Sequence, residues 1–167
     1  MKFIKYTWPF FLLLSFSCDE GIAPGVELPE PGFSGTVTFI GDWPQNVTRT
    51  HIVLFKEPLE DSTDFNILNL GFISEEIPFN STEYNYNTSI NAVIGGIEAR
   101  EYAYLAVAQS RTPDLSLLRK DWFVVGIYCN ETDVTCTGRL AVPVGAFLEN
   151  INIMVDFNIP PPQPPGG

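Results

Sequence analysis

Histidine is almost missing from this chain: His51 is the only one among 167 residues. Any Ser–His–Asp relay must therefore use it as the base. Basic residues are also scarce, nine against 20 acids, for a net charge of −11. A surface that acidic repels phosphate backbones and anionic headgroups, which excludes nucleic acid as a natural partner. Attachment to a membrane would then need a covalent anchor rather than a basic patch. No apolar run reaches the roughly 20 residues that a bilayer-spanning helix takes. The run from about Trp8 to Phe16 has only the length of a signal-peptide hydrophobic region. Gly-x-Ser-x-Gly is absent, as are any internal repeat and any long amphipathic helical pattern. Cysteines number three, an odd count for an exported protein.

What the chain does have is aromatic residues, 13% of the total and mostly Phe and Tyr, which favour strands. Strand signals recur from residue 33 to residue 158. "FSGTVTFIG" opens the series, and the turn "DWPQN" follows. "RTHIVLFK" is apolar on both faces from Ile52 to Phe55, as in a central strand. "TEYNYNTSI" alternates through Tyr84, Tyr86, Thr88 and Ile90, and "EYAYLAVAQS" and "DWFVVGIYC" are long β-rich runs. "GRLAVPV" reads as a short strand, and "SLLRKDWF" as no more than a helical turn. In "ENINIMVDFN", Ile151, Ile153, Val155 and Phe157 share one face and asparagines mark the other. The pattern predicts an all-β body, a single antiparallel β-sandwich of seven or eight strands. A body of this size can bury a core without many disulfides.

Residues 1–17 open with Lys2 and Lys5, continue with the apolar run and place Ser15 and Ser17 before Cys18, as a signal peptide does. Residues 18–32, in "CDEGIAPGVELPEPG", read as a flexible tether rich in proline and glycine. Residues 159–167, in "IPPPQPPGG", read as a disordered or polyproline II tail. Cys129 and Cys136 bracket the polar loop "CNETDVTC", and an oxidising compartment would let them pair. Closing so short a loop stabilises by roughly 2.5 kcal/mol at most. A metal site on these two would need further ligands, and His51 is far away in sequence.

The stretch "FFLLLSFSCDEG" resembles a bacterial lipoprotein signal, and its relaxed box and the acids Asp19 and Glu20 resemble those of Bacteroidota-type surface lipoproteins. The resemblance implies cleavage before Cys18, lipidation of its sulfur and anchoring in the outer membrane on the cell surface. With Cys18 lipidated, no thiol is left over. "SGTVTFIGDWPQNVTRTHIVLFK", "YAYLAVAQS", "WFVVGIYC" and "LENINIMVDFN" resemble small exported domains of the prealbumin-like or carboxypeptidase-regulatory-like kind. That likeness implies an immunoglobulin-like or transthyretin-like sandwich acting as a structural, adhesive or ligand-presenting module, with no shared catalytic residues.

Against this background the candidate chemistry is thin. His51 sits in an apolar run on the face of Val53 and Phe55, where a core histidine fits better than a general base. Glu57, Glu60, Asp61 and Asp64 fall in one loop and could offer oxygen to Ca²⁺, although the spacing is not that of an EF-hand. Paired carboxylates for glycoside hydrolysis cannot be picked out without a separation. Trp43, Tyr84 and Tyr86 are the candidates for a sugar-stacking platform, with Trp43 expected to be exposed in its turn. Tyr102 and Tyr104 are expected to share a face in the same way. Sequons occur at Asn46, Asn80, Asn87 and Asn130; in a eukaryotic secreted protein they would carry glycans, and they stand as the main argument against a bacterial lipoprotein. The expectation is a lipid-anchored, non-enzymatic surface module without cofactor, binding protein or glycan. A small carbohydrate-binding accessory module of a glycan-uptake system is the alternative.

Overall fold

The computed structural model describes residues 28–130 and 135–166. Cys18 and nearly all of the expected signal and tether therefore lie outside the described residues. Among those described, eleven strands form. They are β1 (Gly32–Ile40), β2 (Arg49–Phe55), β3 (Leu70–Ser74), β4 (Glu83–Asn87), β5 (Ala92–Ile94) and β6 (Arg100–Tyr102). They continue with β7 (Tyr104–Ser110), β8 (Trp122–Ile127), β9 (Leu140–Val142), β10 (Phe147–Leu148) and β11 (Ile153–Asp156). The only helical pieces described are two three-residue 3-10 turns, Ser62–Asp64 and Arg119–Asp121. The fold is all-β.

Most strands join one sheet in the order β10-β1-β11-β8-β7-β2-β3-β5, with β4 also on β1 and a separate β6-β9 pair. Strand β2 lies between β3 and β7, antiparallel to both. Its alternation divides two apolar clusters: Ile52 and Leu54 enter the larger, Val53 and Phe55 the smaller. That is why the run reads as apolar on both faces. The larger cluster draws on both ends of the sheet. Phe33 of β1 meets Phe72 of β3 edge-on, ring centroids 6.1 Å apart, although four strands separate β1 from β3 in the sheet order. The sheet therefore curls around this core.

The pairing is not purely antiparallel, which corrects the expected arrangement: β10 and β11 both run parallel to β1. The chain returns after the whole body to lie beside its first strand. A side-chain alternation of period two carries no information about strand direction. Between β10 and β11 one extra residue enters the pairing with β1, and Asn150 stands there in the left-handed region with φ 61°.

Residues 159–166 are held against the sheet rather than left as a free tail. The Gln163 side chain donates to the Val124 carbonyl and accepts from its N–H, both at 2.8 Å. Arg119 Nη2 donates to the Pro164 carbonyl at 2.8 Å. Proline has no N–H to offer, so in "PPPQPP" the one side-chain amide supplies both halves of a strand-like pairing.

Candidate functional site

The sequence-predicted stacking platform does not exist as a surface. Trp43, expected in an exposed turn, is 8% exposed. Its ring packs against Phe39, Phe157 and Phe79 at centroid distances of 4.8, 5.3 and 5.4 Å, and its Nε1–H donates to the Ser81 carbonyl at 3.0 Å. Tyr86 is 3% exposed, and its hydroxyl donates to the Ile151 carbonyl at 2.5 Å. Burial pushes that phenol far above its ordinary pKa. Tyr84 is half-buried against the same cluster. Trp43 and Tyr86 belong to the core and Tyr84 packs against its edge. Tyr102 and Tyr104 are separated instead of paired. The chain breaks between β6 and β7 at Ala103, so Tyr102 joins the larger cluster and Tyr104 packs on the smaller.

His51 is 2% exposed. Its Nδ1 lies 2.9 Å from the Ser74 carbonyl; a carbonyl only accepts, so Nδ1 carries the hydrogen and Nε2 is left unprotonated. Nε2 is buried with no partner among the described residues. Trp122 covers the ring edge-on, centroids 5.9 Å apart. Burial lowers the imidazole pKa, more strongly than the Ser74 bond and the Glu76 charge raise it. No nucleophile among the described residues is placed at Nε2, and the imidazole is a core group.

In the acidic loop Asp61 and Asp64 use their oxygens on the loop's own backbone, and Glu57 pairs with Arg100. Asp61 Oδ1 accepts from Thr63 N–H at 2.6 Å, and Asp64 Oδ2 accepts from Asp61 N–H at 2.9 Å, a capping box around a 3-10 turn. No group of three or more His, Cys, Asp or Glu is positioned for a metal among the described residues. Cys129 and Cys136 do form a disulfide, with Cα atoms 4.3 Å apart.

The arrangement that sequence reasoning missed is a polar groove of about 430 Å³ on the outer side of β1 and β4. Five asparagines line it: Asn85, Asn87, Asn91, Asn150 and Asn152. Strand β4 places Asn85 opposite Thr36 and Asn87 opposite Ser34, while Tyr86 between them points to the core. Asn152 comes from the segment just before β11, and its Oδ1 accepts from Thr36 N–H at 2.9 Å. Asn87 Oδ1 accepts from Ser89 N–H at 2.8 Å. A backbone N–H can be answered only by the amide oxygen, so these bonds settle which way both side chains face. Their NH₂ groups have no partner among the described residues. Glu149 stands in the wall, and Ile90 adds an apolar spot that is 72% exposed.

A second open hollow, lined by Lys56, Glu57, Asn66, Asn69 and Arg100, is different in kind. Arg100 pairs with Glu57 at 2.6 Å, Lys56 donates to the Leu68 carbonyl, and Asn69 uses both ends of its amide on Glu57 and Asp64. Its polar groups satisfy one another. A third, between Phe65 and Trp122, is apolar, with about 20 Å³ of free space, room for a water-sized group. The asparagine groove combines ligand-sized volume with donors left unused; a hollow of about 380 Å³ beside Tyr104 and Arg139 also keeps one, the Tyr104 hydroxyl, buried without a partner among the described residues. The signal in the sequence was the density of asparagine in "EYNYNTSIN" and "ENIN", which as a period-two polar face looks like ordinary solvent exposure. Protein-family models, curated proteins and solved structures give no match to this chain.

Proposed function

We propose that the chain is a lipid-anchored protein of the bacterial cell envelope, held at the outer surface through Cys18. Its β domain then works as a non-enzymatic structural or interaction module. In this reading residues 1–17 are removed, and residues 18–32 tether a curled sheet that serves as a β-sandwich of the immunoglobulin-like or transthyretin-like kind. The observation that carries it is the stretch "FFLLLSFSCDEG": a short apolar run, small residues at 15 and 17, then a cysteine with two acids behind it. Two or more acyl chains on Cys18 would hold far more firmly than one, at about 0.8 kcal/mol per buried CH₂. The acidic surface is compatible with such an anchor because the attachment does not rely on charge. The test is fatty-acid labelling and intact mass of the protein made in a lipoprotein-processing bacterium, beside Cys18→Ala. The wild type should carry label and acyl mass and fractionate with membranes, and the variant should do neither. An unlabelled, released wild type would overturn the reading.

A further inference from the structure

We infer that the asparagine groove on β1 and β4 is a binding site for a neutral carbohydrate. The inference deepens the surface-module reading by naming the ligand class and the site. What the groove offers is hydrogen-bond donors. The amide oxygens of Asn87 and Asn152 are held by the backbone N–H groups of Ser89 and Thr36, so the NH₂ ends are what remains for a ligand. Asn85 lies beside them, its amide 2.7 Å from the Thr36 hydroxyl, a group that can answer either end of an amide. Asn87 and Asn152 thus present NH₂ groups at positions fixed by their own bonds to backbone N–H groups, and Asn85 adds a third amide beside them.

The chemistry of that array selects against other ligands. A metal ion needs several oxygen ligands together; the amide oxygens of Asn85, Asn87 and Asn152 are already engaged, and Glu149 is the one carboxylate in the lining. An anion meets no lysine or arginine in the lining and faces Glu149 in a strongly acidic protein. An extended peptide brings as many N–H donors as carbonyl acceptors, and N–H donors would find few acceptors here. A sugar fits. Its hydroxyl oxygens accept from the NH₂ groups, one hydroxyl donates to the Glu149 carboxylate, and a C–H face rests on exposed Ile90. The open groove, at about 430 Å³, has a volume within the range of small-molecule sites.

The test uses the purified full chain in a sugar-free detergent, titrated with soluble starch, cellulose, xylan, mannan, galactan and chitin oligosaccharides. The side-chain amide resonances are followed by nitrogen-edited NMR. At least one neutral oligosaccharide should shift the NH₂ signals of Asn85, Asn87 and Asn152. Asn85→Ala removes an exposed side chain. Asn152→Asp keeps the oxygen that Thr36 N–H needs and removes the NH₂ donor. The double variant should retain the wild-type backbone spectrum and bind at least about tenfold more weakly, as expected for two lost donors. Shifts from none of the neutral sugars, or only from oligogalacturonate and heparin fragments run beside them, would overturn the proposal. So would undiminished affinity in the double variant. Acyl mass on Cys18 is read from the same preparation, so loss of sugar binding with the lipid present refutes the groove alone. Binding without lipid refutes the anchor alone.

Discussion

Replacing Trp43 with alanine discriminates between a ring that holds the fold and a ring that waits for a ligand. The indole is in contact with Phe39, Phe79 and Phe157, and its Nε1–H satisfies the Ser81 carbonyl. Truncation to alanine removes those contacts and opens a cavity, which costs about 3–5 kcal/mol for a buried Trp. A domain of this size has about 5–15 kcal/mol in total, so the variant should keep only part of its stability. The corresponding fall in melting temperature is roughly 10–20 °C. Trp43→Phe keeps most of the packing and loses the donated hydrogen bond, for about 1–2 kcal/mol. The assay is urea unfolding followed by far-UV circular dichroism, chosen because the substitution removes a fluorophore. Near-UV dichroism would report loss of the aromatic cluster in parallel. If Trp43→Ala unfolds within about 1 kcal/mol of the wild type, the ring is not a core element and the argument from its contacts fails.

The remaining predictions concern other points of the fold. His51 has its folded pKa lowered below 6.5, so the unfolded chain takes up a proton that the folded one refuses. Stability should be full above about pH 6.5 and fall as the pH drops below it, and His51→Gln should abolish that slope; a flat profile in the wild type would refute the buried neutral imidazole. Asp61 and Asp121 have lowered pKa values, so their contributions fade only at more acid pH and leave the histidine window clear. In Gly35→Ala the new Cβ would stand 2.1 Å from the Ile151 carbonyl oxygen. Because that neighbour is backbone, the cost should be about 3 kcal/mol or more by chemical denaturation, and a variant as stable as the wild type would show that β1 and the Ile151 segment are not so close. Gln163→Ala should speed hydrogen exchange at the Val124 amide and lower stability by about 1–2 kcal/mol. Unchanged exchange would mean that the tail does not cover β8.

Alternation was enough to place β11, whose inward residues are the ones buried, while apolar and β-rich runs placed β1, β2 and β8; Met154, the one apolar residue on the outer side of β11, is indeed exposed. It could not place β5 and β10, which have three and two residues and no period to detect. Nor could it see the break at Ala103, where a single residue sends Tyr102 and Tyr104 to different clusters. The burial of Trp43 was illegible for another reason. "DWPQN" has the composition of a turn, and it is the pairing of β1 with β11 and β4 that brings Phe157 and Phe79 beside Phe39 and over the indole. The parallel pairing of β1 with β11 is likewise a property of the whole chain, since residues 37 and 153 share no local signal.

Asparagine ties these points together, because the same residue type is used here in three ways. At Asn46 and Asn80 the backbone is left-handed, φ 63° and 64°, a conformation that asparagine tolerates better than most side chains. At Asn66 and Asn69 both ends of the amide are engaged by the loop. At Asn87 and Asn152 the oxygen closes a local bond and the nitrogen faces the groove. Which of these a given asparagine does is decided by its neighbours in space, so the groove could not be picked out from residue spacing. The turn roles also account for three of the four sequons. Asn46 and Asn80 suit their left-handed backbone, and Asn87 forms an Asx turn onto Ser89. A Ser or Thr two positions on needs no glycan to explain it when the asparagine has a structural reason to be there. The sequons therefore lose most of their force against an exported bacterial lipoprotein, and that question rests on what Cys18 carries.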